Sequence, residues 1–204
     1  MTWKYGILQD LHGLGPRGHL PEFVKNFLNN RSFQVRVGNT LSDPYDQIEG
    51  VPQGSIISPL LFEIKINSIV NTLQNNIDGS LFVDDFAICY KSKARMETLE
   101  RQLQLQLKKL ETWANSNGFK FSTTKTIAVH FCCGRKCVHQ PKLYLNNIQV
   151  PVKSQVRFLG LIFDSKLSFL PHIKDLKVRC QKALNALKVL SSPEWGGTSE
   201  VCSI

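Results

Sequence analysis

The run Leu81-Phe82-Val83-Asp84-Asp85-Phe86-Ala87-Ile88 sets two adjacent carboxylates inside an otherwise apolar stretch. An unpaired buried charge costs far more than a valine or leucine gains at the same place. The stretch therefore predicts two short buried strands between Leu81 and Tyr90, with the acids at the bend between them. At a tight bend both carboxylates can face one edge of a sheet, where a pair of divalent cations would offset their repulsion. Two metals on carboxylates suit in-line phosphoryl transfer, one activating the attacking hydroxyl and the other stabilising the leaving oxygens. The alternative is a surface turn in which Asp-Asp simply favours the bend.

Around this pair the hydrophobic pattern alternates between helix and strand periods. Ile7, Leu8 and Leu11 predict a helix that Gly13, Gly15 and Pro16 end, and Pro21 opens a second with Phe23, Val24, Phe27 and Leu28. Phe33, Val35 and Val37 alternate as in a half-buried strand, with Gly38-Asn39 as its turn and a return strand into Ile48. Ser58-Pro59 reads as an N-cap and first-turn proline leading a helix through Ile64, Ile69 and Leu73. Met96, Leu99, Leu103, Leu107, Leu110 and Trp113 predict a long amphipathic helix that Gly118 terminates. Ile127, Val129 and Phe131 predict a strand, Asn146-Asn147 a hairpin turn, Val156 to Phe163 one further apolar strand, and residues 171–190 a second long helix.

The chain has 204 residues, 42% of them hydrophobic, enough for one ordinary core or a domain with a small appendage. Its 25 Lys and Arg against 16 Asp and Glu give a net charge of +9, which favours polyanionic partners. No run of about 18 apolar residues predicts a membrane span, and Met1-Thr2-Trp3-Lys4 opens no signal peptide, so an intracellular protein with no membrane partner is expected. Six cysteines, at 89, 132, 133, 137, 180 and 202, are read as free thiols in that setting. His130, Cys132, Cys133, Cys137 and His139 crowd together, but the Cys-Cys-x₃-Cys spacing fits no standard zinc knuckle.

Upstream of the carboxylates lies Gly50-Val51-Pro52-Gln53-Gly54-Ser55, then Ser58-Pro59-Leu60-Leu61-Phe62. The string GVPQGSIISPLLF followed by FVDD resembles motifs B and C of reverse transcriptases, most of all those of non-LTR (LINE-like) retrotransposons. Trp113, Gly118-Phe119-Lys120-Phe121 and Lys125-Thr126 resemble motif D, Phe158-Leu159-Gly160-Leu161 resembles the primer grip of motif E, and Pro171-His172-Ile173 looks like the start of a thumb helix.

The resemblance implies an α+β fold: a reverse-transcriptase palm, with an antiparallel sheet packed on helices, part of a helical thumb, and fingers largely absent. Residues 1–150 would be the partial palm and residues 151–204 the primer-grip strands and first thumb helix. The activity implied is RNA-directed DNA synthesis, from dNTPs, on an RNA template and a DNA primer, with two Mg²⁺ ions in the complete enzyme. Asp84 is implied as a direct metal ligand and Asp85 as a supporting one. Pro52, Gln53 and Gly54 would lie against the template base and incoming nucleotide. Lys125 would act toward departing pyrophosphate, although Lys120 is close by. Phe158, Leu159 and Gly160 would hold the primer, and the resemblance places such elements in the nucleus.

The pattern departs from the family at its start. Met1-Thr2-Trp3-Lys4-Tyr5-Gly6 looks like the sequence just after the motif A aspartate, so the chain is expected to be truncated there and to lack the third carboxylate. Asp10, between Leu8 and Leu11 on a position expected to be solvated, is given no catalytic role. A chain so truncated is expected not to polymerise by itself. The alternative function is a non-catalytic nucleic-acid-binding remnant that keeps the basic surface.

Overall fold

The computed structural model describes residues 4–132 and 140–191, without the side chain of Leu190. They form two units: Met1–Thr126 with Lys142–Val150, and Ile127–Pro141 with Pro151–Ile204.

The first unit is built on three helices. In α1 (Lys4–Gly13) Ile7 and Leu11 lie one turn apart, as do Val24 and Leu28 in α2 (His19–Leu28). These four bury against one another and Leu61, with Val51, Ile57 and Ile64 packed around them. α2 starts two residues before Pro21, so the proline falls in the first turn, where its missing N–H breaks no bond.

Between α2 and the third helix runs a β arm. β1 (Ser32–Phe33) pairs with β4 (Tyr45–Asp46), and β2 (Arg36–Val37) with β3 (Thr40–Leu41). The ladder breaks between the two pairs, where the Ser42 hydroxyl accepts the Val35 N–H at 3.0 Å. The alternation at 33–37 marks strands as predicted, but both faces are exposed, Val37 to 75%. Period two fixes which side chains share a face; only a covering element buries one, and none of the described residues covers the arm.

α3 (Ser58–Asn67) passes into a 3₁₀ turn, Ser68–Thr72. α3 is tied to α1 by an ion pair of 2.9 Å between the Lys65 ammonium, 4% exposed, and Asp10. Asp10 is thus a partner of a buried cation and not a solvated side chain, a correction to the sequence reading. β5 (Ile77–Phe82) and β6 (Asp85–Tyr90) then form an antiparallel hairpin in register from Ile77↔Tyr90 to Phe82↔Asp85. Gly79 leaves room there for the tip of the Leu73 side chain, which would have to shift to admit a Cβ. The acids do stand at the bend, but the strands are not buried: of this hairpin only Ile77 is fully covered, and Phe82 is 59% exposed. The cause is again coverage, for the hairpin is a two-stranded sheet by itself among the described residues.

α4 (Met96–Asn117) buries Leu107, Leu110 and Ala114 and ends at Gly118, whose φ of 73° closes the helix in the left-handed region. Gln106, fully buried, reaches across to the link between the 3₁₀ turn and β5. Its Nε2 donates to the Thr72 carbonyl and its Oε1 accepts the Gln74 N–H, both at 3.2 Å. Further along, β7 (Tyr144–Leu145) and β8 (Ile148–Gln149) form the predicted hairpin, with Asn146 and Asn147 at φ 50° and 62°, the signs of a type I′ turn. α4 side chains take the backbone amides a neighbouring strand would otherwise satisfy. Glu100 accepts from Lys142, Gln104 exchanges two bonds with Tyr144, and Glu111 accepts from Asn146.

In the second unit the predicted strand at Ile127–Phe131 reduces to a single parallel bridge, Ala128↔Val152. The predicted apolar strand Val156–Phe163 is instead a hairpin: β9 (Gln155–Phe158) turns at Leu159 and Gly160, φ 47° and 85°, into β10 (Leu161–Asp164). A run of apolar residues carries no sign of where it folds back, and the single glycine was the available clue. The Asp164 carboxylate accepts from Phe169 N at 2.8 Å and Ser168 Oγ at 3.0 Å, closing the link into α5 (Leu170–Leu190). Arg157 on β9 donates to Asp175 on α5 at 2.9 Å, and Arg179 lies 2.9 Å from the same carboxylate. The residues of α5 from Ile173 to Val189 are exposed apart from a half-buried Asp175. Cys89 and Cys180 carry free thiols, whereas Cys132 is disulfide-bonded, which corrects the free-thiol expectation there and removes it as a zinc thiolate. Cys133, Cys137, His139 and Cys202 lie outside the described residues. Among those described, no helix is long and apolar enough to cross a membrane.

Two outcomes follow from these contacts. Gln106→Leu should lower the unfolding free energy by about 1–3 kcal/mol, because a carbonyl and an amide lose their only described partner in a half-buried site; equal urea midpoints for the two proteins would refute it. The hydrogen bond from Arg157, then partial desolvation opposing it and the charges of Arg157 and Arg179, hold the Asp175 carboxyl below its ordinary 3.8. A carboxyl so depressed contributes stability above 3.8 that is lost as pH falls through its lowered folded value. Acid loss of α5 helicity below that pH should therefore flatten in Asp175→Asn, as followed by circular dichroism.

Candidate active site

The hairpin tip presents the acids by a costly turn. Phe82↔Asp85 is the last pair, leaving Val83 and Asp84 as the two turn residues. Of these only Val83 has a positive φ, 53°. That sign pattern belongs to a type II′ turn, whose first central position normally takes glycine. For a β-branched residue the left-handed region costs roughly 1–2 kcal/mol. Asp84 and Asp85 are both exposed, and neither is engaged by an ion pair or hydrogen bond among the described residues. Beside them opens a cleft of about 630 Å³ lined by Asp10, Leu60, Glu63 and Asn67 from the helices and by Phe82 and Val83 from the tip.

The glycine loop is held at its base. Val51 and Ile57 pack on the helical core at its two ends. Gly50 and Gly54 have φ of 82° and 87°, a conformation that side chains resist. Ser58, predicted as the N-cap, lies instead inside the first turn, and Ile57 occupies the cap position. The Ser58 hydroxyl, 3% exposed as a residue, donates to the Pro52 carbonyl at 2.6 Å. Pro52 is half-buried, while Gln53 and Gly54 face solvent.

The stretch carrying Lys125 is joined to α3 through aromatic side chains. Trp113 of α4 stacks on Phe119 with ring centroids 5.2 Å apart, and Phe62 of α3 meets Phe119 edge-on at 6.1 Å. The Trp113 indole N–H donates to Ser68 Oγ at 3.0 Å, which itself donates to the Lys65 carbonyl. Lys125 sits exposed in a turn organised by Ser122, whose oxygen atoms accept from Lys125 N and Thr126 N. No ion pair joins Lys125 to Asp84 or Asp85 among the described residues.

In the second unit Phe158 is half-buried, and Leu159 and Gly160 are exposed at the hairpin turn. Lys174, Lys177, Lys182 and Lys188 stand exposed along α5. Sequence reasoning missed Ser58 and Gln106 as positioning groups. A serine before proline at a helix start reads equally well as a cap, and a glutamine within a long helix reads as surface. Neither pattern signals a hydroxyl or amide turned toward another segment.

Two adjacent carboxylates are hard oxygen donors, the kind Mg²⁺ prefers. They match a metal pair in kind and fall short in number, for no group of three or more His, Cys, Asp or Glu placed to hold a metal occurs among the described residues.

Comparison with known proteins identifies the family. Residues 6–163, which include the carboxylates, the glycine loop, Lys125 and the turn at Leu159-Gly160, match the family model "Reverse transcriptase (RNA-dependent DNA polymerase)". The chain is 28% identical over 195 residues to a probable RNA-directed DNA polymerase from transposon BS of Drosophila melanogaster, covering 93% of this chain and 21% of that protein. It is 26% identical over 198 residues to the RNA-directed DNA polymerase from mobile element jockey of the same fly, covering 94% of this chain and 21% of the relative. For a probable RNA-directed DNA polymerase from transposon X-element the figures are 26% over 181 residues, 87% and 20%. The chain thus spans about a fifth of the length of these relatives. With a family match over most of its length and mobile-element polymerases as its relatives, the chain belongs to the reverse transcriptase family.

Proposed function

We propose that the first unit is the palm portion of an RNA-directed DNA polymerase of a non-LTR retrotransposon, and that β9, β10 and α5 are its primer-grip and thumb portion. The observation that carries the reading is the exposed Asp84-Asp85 tip beside an open cleft in a chain of this family. Asp84 and Asp85 would hold divalent metal, which supplies charge for attack by a primer 3′-hydroxyl and for release of pyrophosphate. Pro52, Gln53 and Gly54 would face the template base and the incoming dNTP, where an exposed glycine lets the backbone approach closely. Lys125, exposed and in no ion pair among the described residues, would balance or protonate the departing phosphate. Phe158, Leu159 and Gly160 would contact the primer, and the lysines of α5 would follow a phosphate backbone. Such elements act in the nucleus by the same resemblance.

A second reading is favoured by the short donor set. Two carboxylates coordinate two ions poorly, so the chain by itself would bind template and primer without extending them.

Three measurements test these readings. Calorimetric titration of Mg²⁺ should show weak binding that Asp84→Asn abolishes and Asp85→Asn weakens; equal heats in all three proteins would remove the carboxylates from any metal role. The affinity for an RNA template annealed to a DNA primer should fall steeply with salt, and replacing Lys174 and Lys182 with alanine should reduce the slope of log K against log[salt] by about one per lysine. A flat salt response would count against both readings. In primer extension with Mg²⁺, no product from the isolated chain is expected, and template-dependent synthesis would show that the pair suffices.

A further inference from the structure

We propose that Ser58 is the positioning residue of the Pro52–Ser55 loop, holding Gln53 and Gly54 toward the substrate; the substrate side of this inference rests on the reading above. A serine in the first turn of a helix ordinarily turns its hydroxyl to backbone three or four residues away. Ser58 instead bonds across the loop at two points. Its hydroxyl donates to the Pro52 carbonyl at 2.6 Å, and its N–H donates to the Ser55 carbonyl at 3.3 Å. Ser55 N also donates to the Pro52 carbonyl, at 3.5 Å, so both ends of the tetrapeptide are bound to each other and to Ser58.

The reference frame for this grip is rigid. Ser58 is 3% exposed, and the helix that it opens is fixed by buried Leu61, by Ile66 and by the Lys65–Asp10 pair. Val51 and Ile57 anchor the chain on either side of the loop. The five residues between them include the exposed Gln53 and Gly54, and no hydrogen bond of the Gln53 side chain is found among the described residues. Gly54, at φ 87°, lends the loop freedom, and Ser58 is the buried side chain that removes it. With the hydroxyl deleted, Pro52 keeps only the long bond from Ser55, so the loop samples other conformations while the core stays as it was.

The test follows two readouts in wild type, Ser58→Ala, Ser58→Thr and Gln53→Ala. Amide hydrogen exchange at Ser55 and Ser58, whose N–H groups are bonded within the loop, should quicken about tenfold in Ser58→Ala, the equivalent of one lost hydrogen bond, with α3 amides from Leu61 onward unchanged. Ser58→Thr, which keeps the hydroxyl, should restore slow exchange; if the added methyl unfolds the protein, Ser58→Cys, a weaker donor of similar size, takes its place with partial rescue. Binding of an RNA template annealed to a DNA primer should weaken severalfold in Ser58→Ala and in Gln53→Ala, but exchange should change only in the former. Unchanged loop exchange in Ser58→Ala overturns the inference, and so does faster exchange spread evenly through α1, α2 and α3, which marks a merely structural serine. If wild type binds no duplex, the polymerase reading fails, while the exchange data still decide whether Ser58 grips the loop.

Discussion

The position of the carboxylates depends on a single buried amide. The hairpin that bears Asp84 and Asp85 buries only Ile77 fully, so it has little hydrophobic hold of its own. What fixes it is its root. Gln106 pins the Thr72 carbonyl and the Gln74 amide from α4, and Leu73 between them fills the space that Gly79 leaves open in β5. A satisfied amide is directional in a way that apolar contact is not. The hairpin thus leaves the body of the unit at a fixed angle, and its tip inherits that angle.

A second organising feature is the use of α4 as a substitute for a strand. Glu100, Gln104 and Glu111 recur at helical spacing and meet the amides of residues 142–146 at strand spacing. The two repeats coincide only over short distances, since a helix rises about 1.5 Å per residue and a strand about 3.3 Å. The clasp accordingly ends where the chain turns back at Asn146-Asn147. These contacts place residues 142–150 in the first unit, although the chain before and after them belongs to the second.

The sequence was most legible where local chemistry decides the outcome. α4 ends at Gly118 and the Asn146-Asn147 hairpin turns where read, because a left-handed cap and a type I′ turn are local demands on particular residues. The acids stand at their bend too, although Val83 is an unfavourable residue for its φ of 53°. Burial was not legible. The alternation at 33–37 and the apolar run at 81–90 identify strands, yet both remain largely exposed, since no pattern within a segment reveals whether another segment covers it. Of the candidate site, the carboxylates and the glycine loop could be named, but not the groups that hold them. Ser58 and Gln106 act through partners six and more than thirty residues away.

Three of the four tight hairpins among the described residues also differ in how readily each turn closes. Asn146-Asn147 accepts the left-handed region at little cost, Leu159-Gly160 pays at one of its two positions, and Val83-Asp84 places a β-branched residue there. Hairpins close in roughly microseconds when their turn favours it. The turn at Val83 works against closure, so the β5–β6 hairpin leans on its root, where Gln106 holds Thr72 and Gln74, more than on its tip.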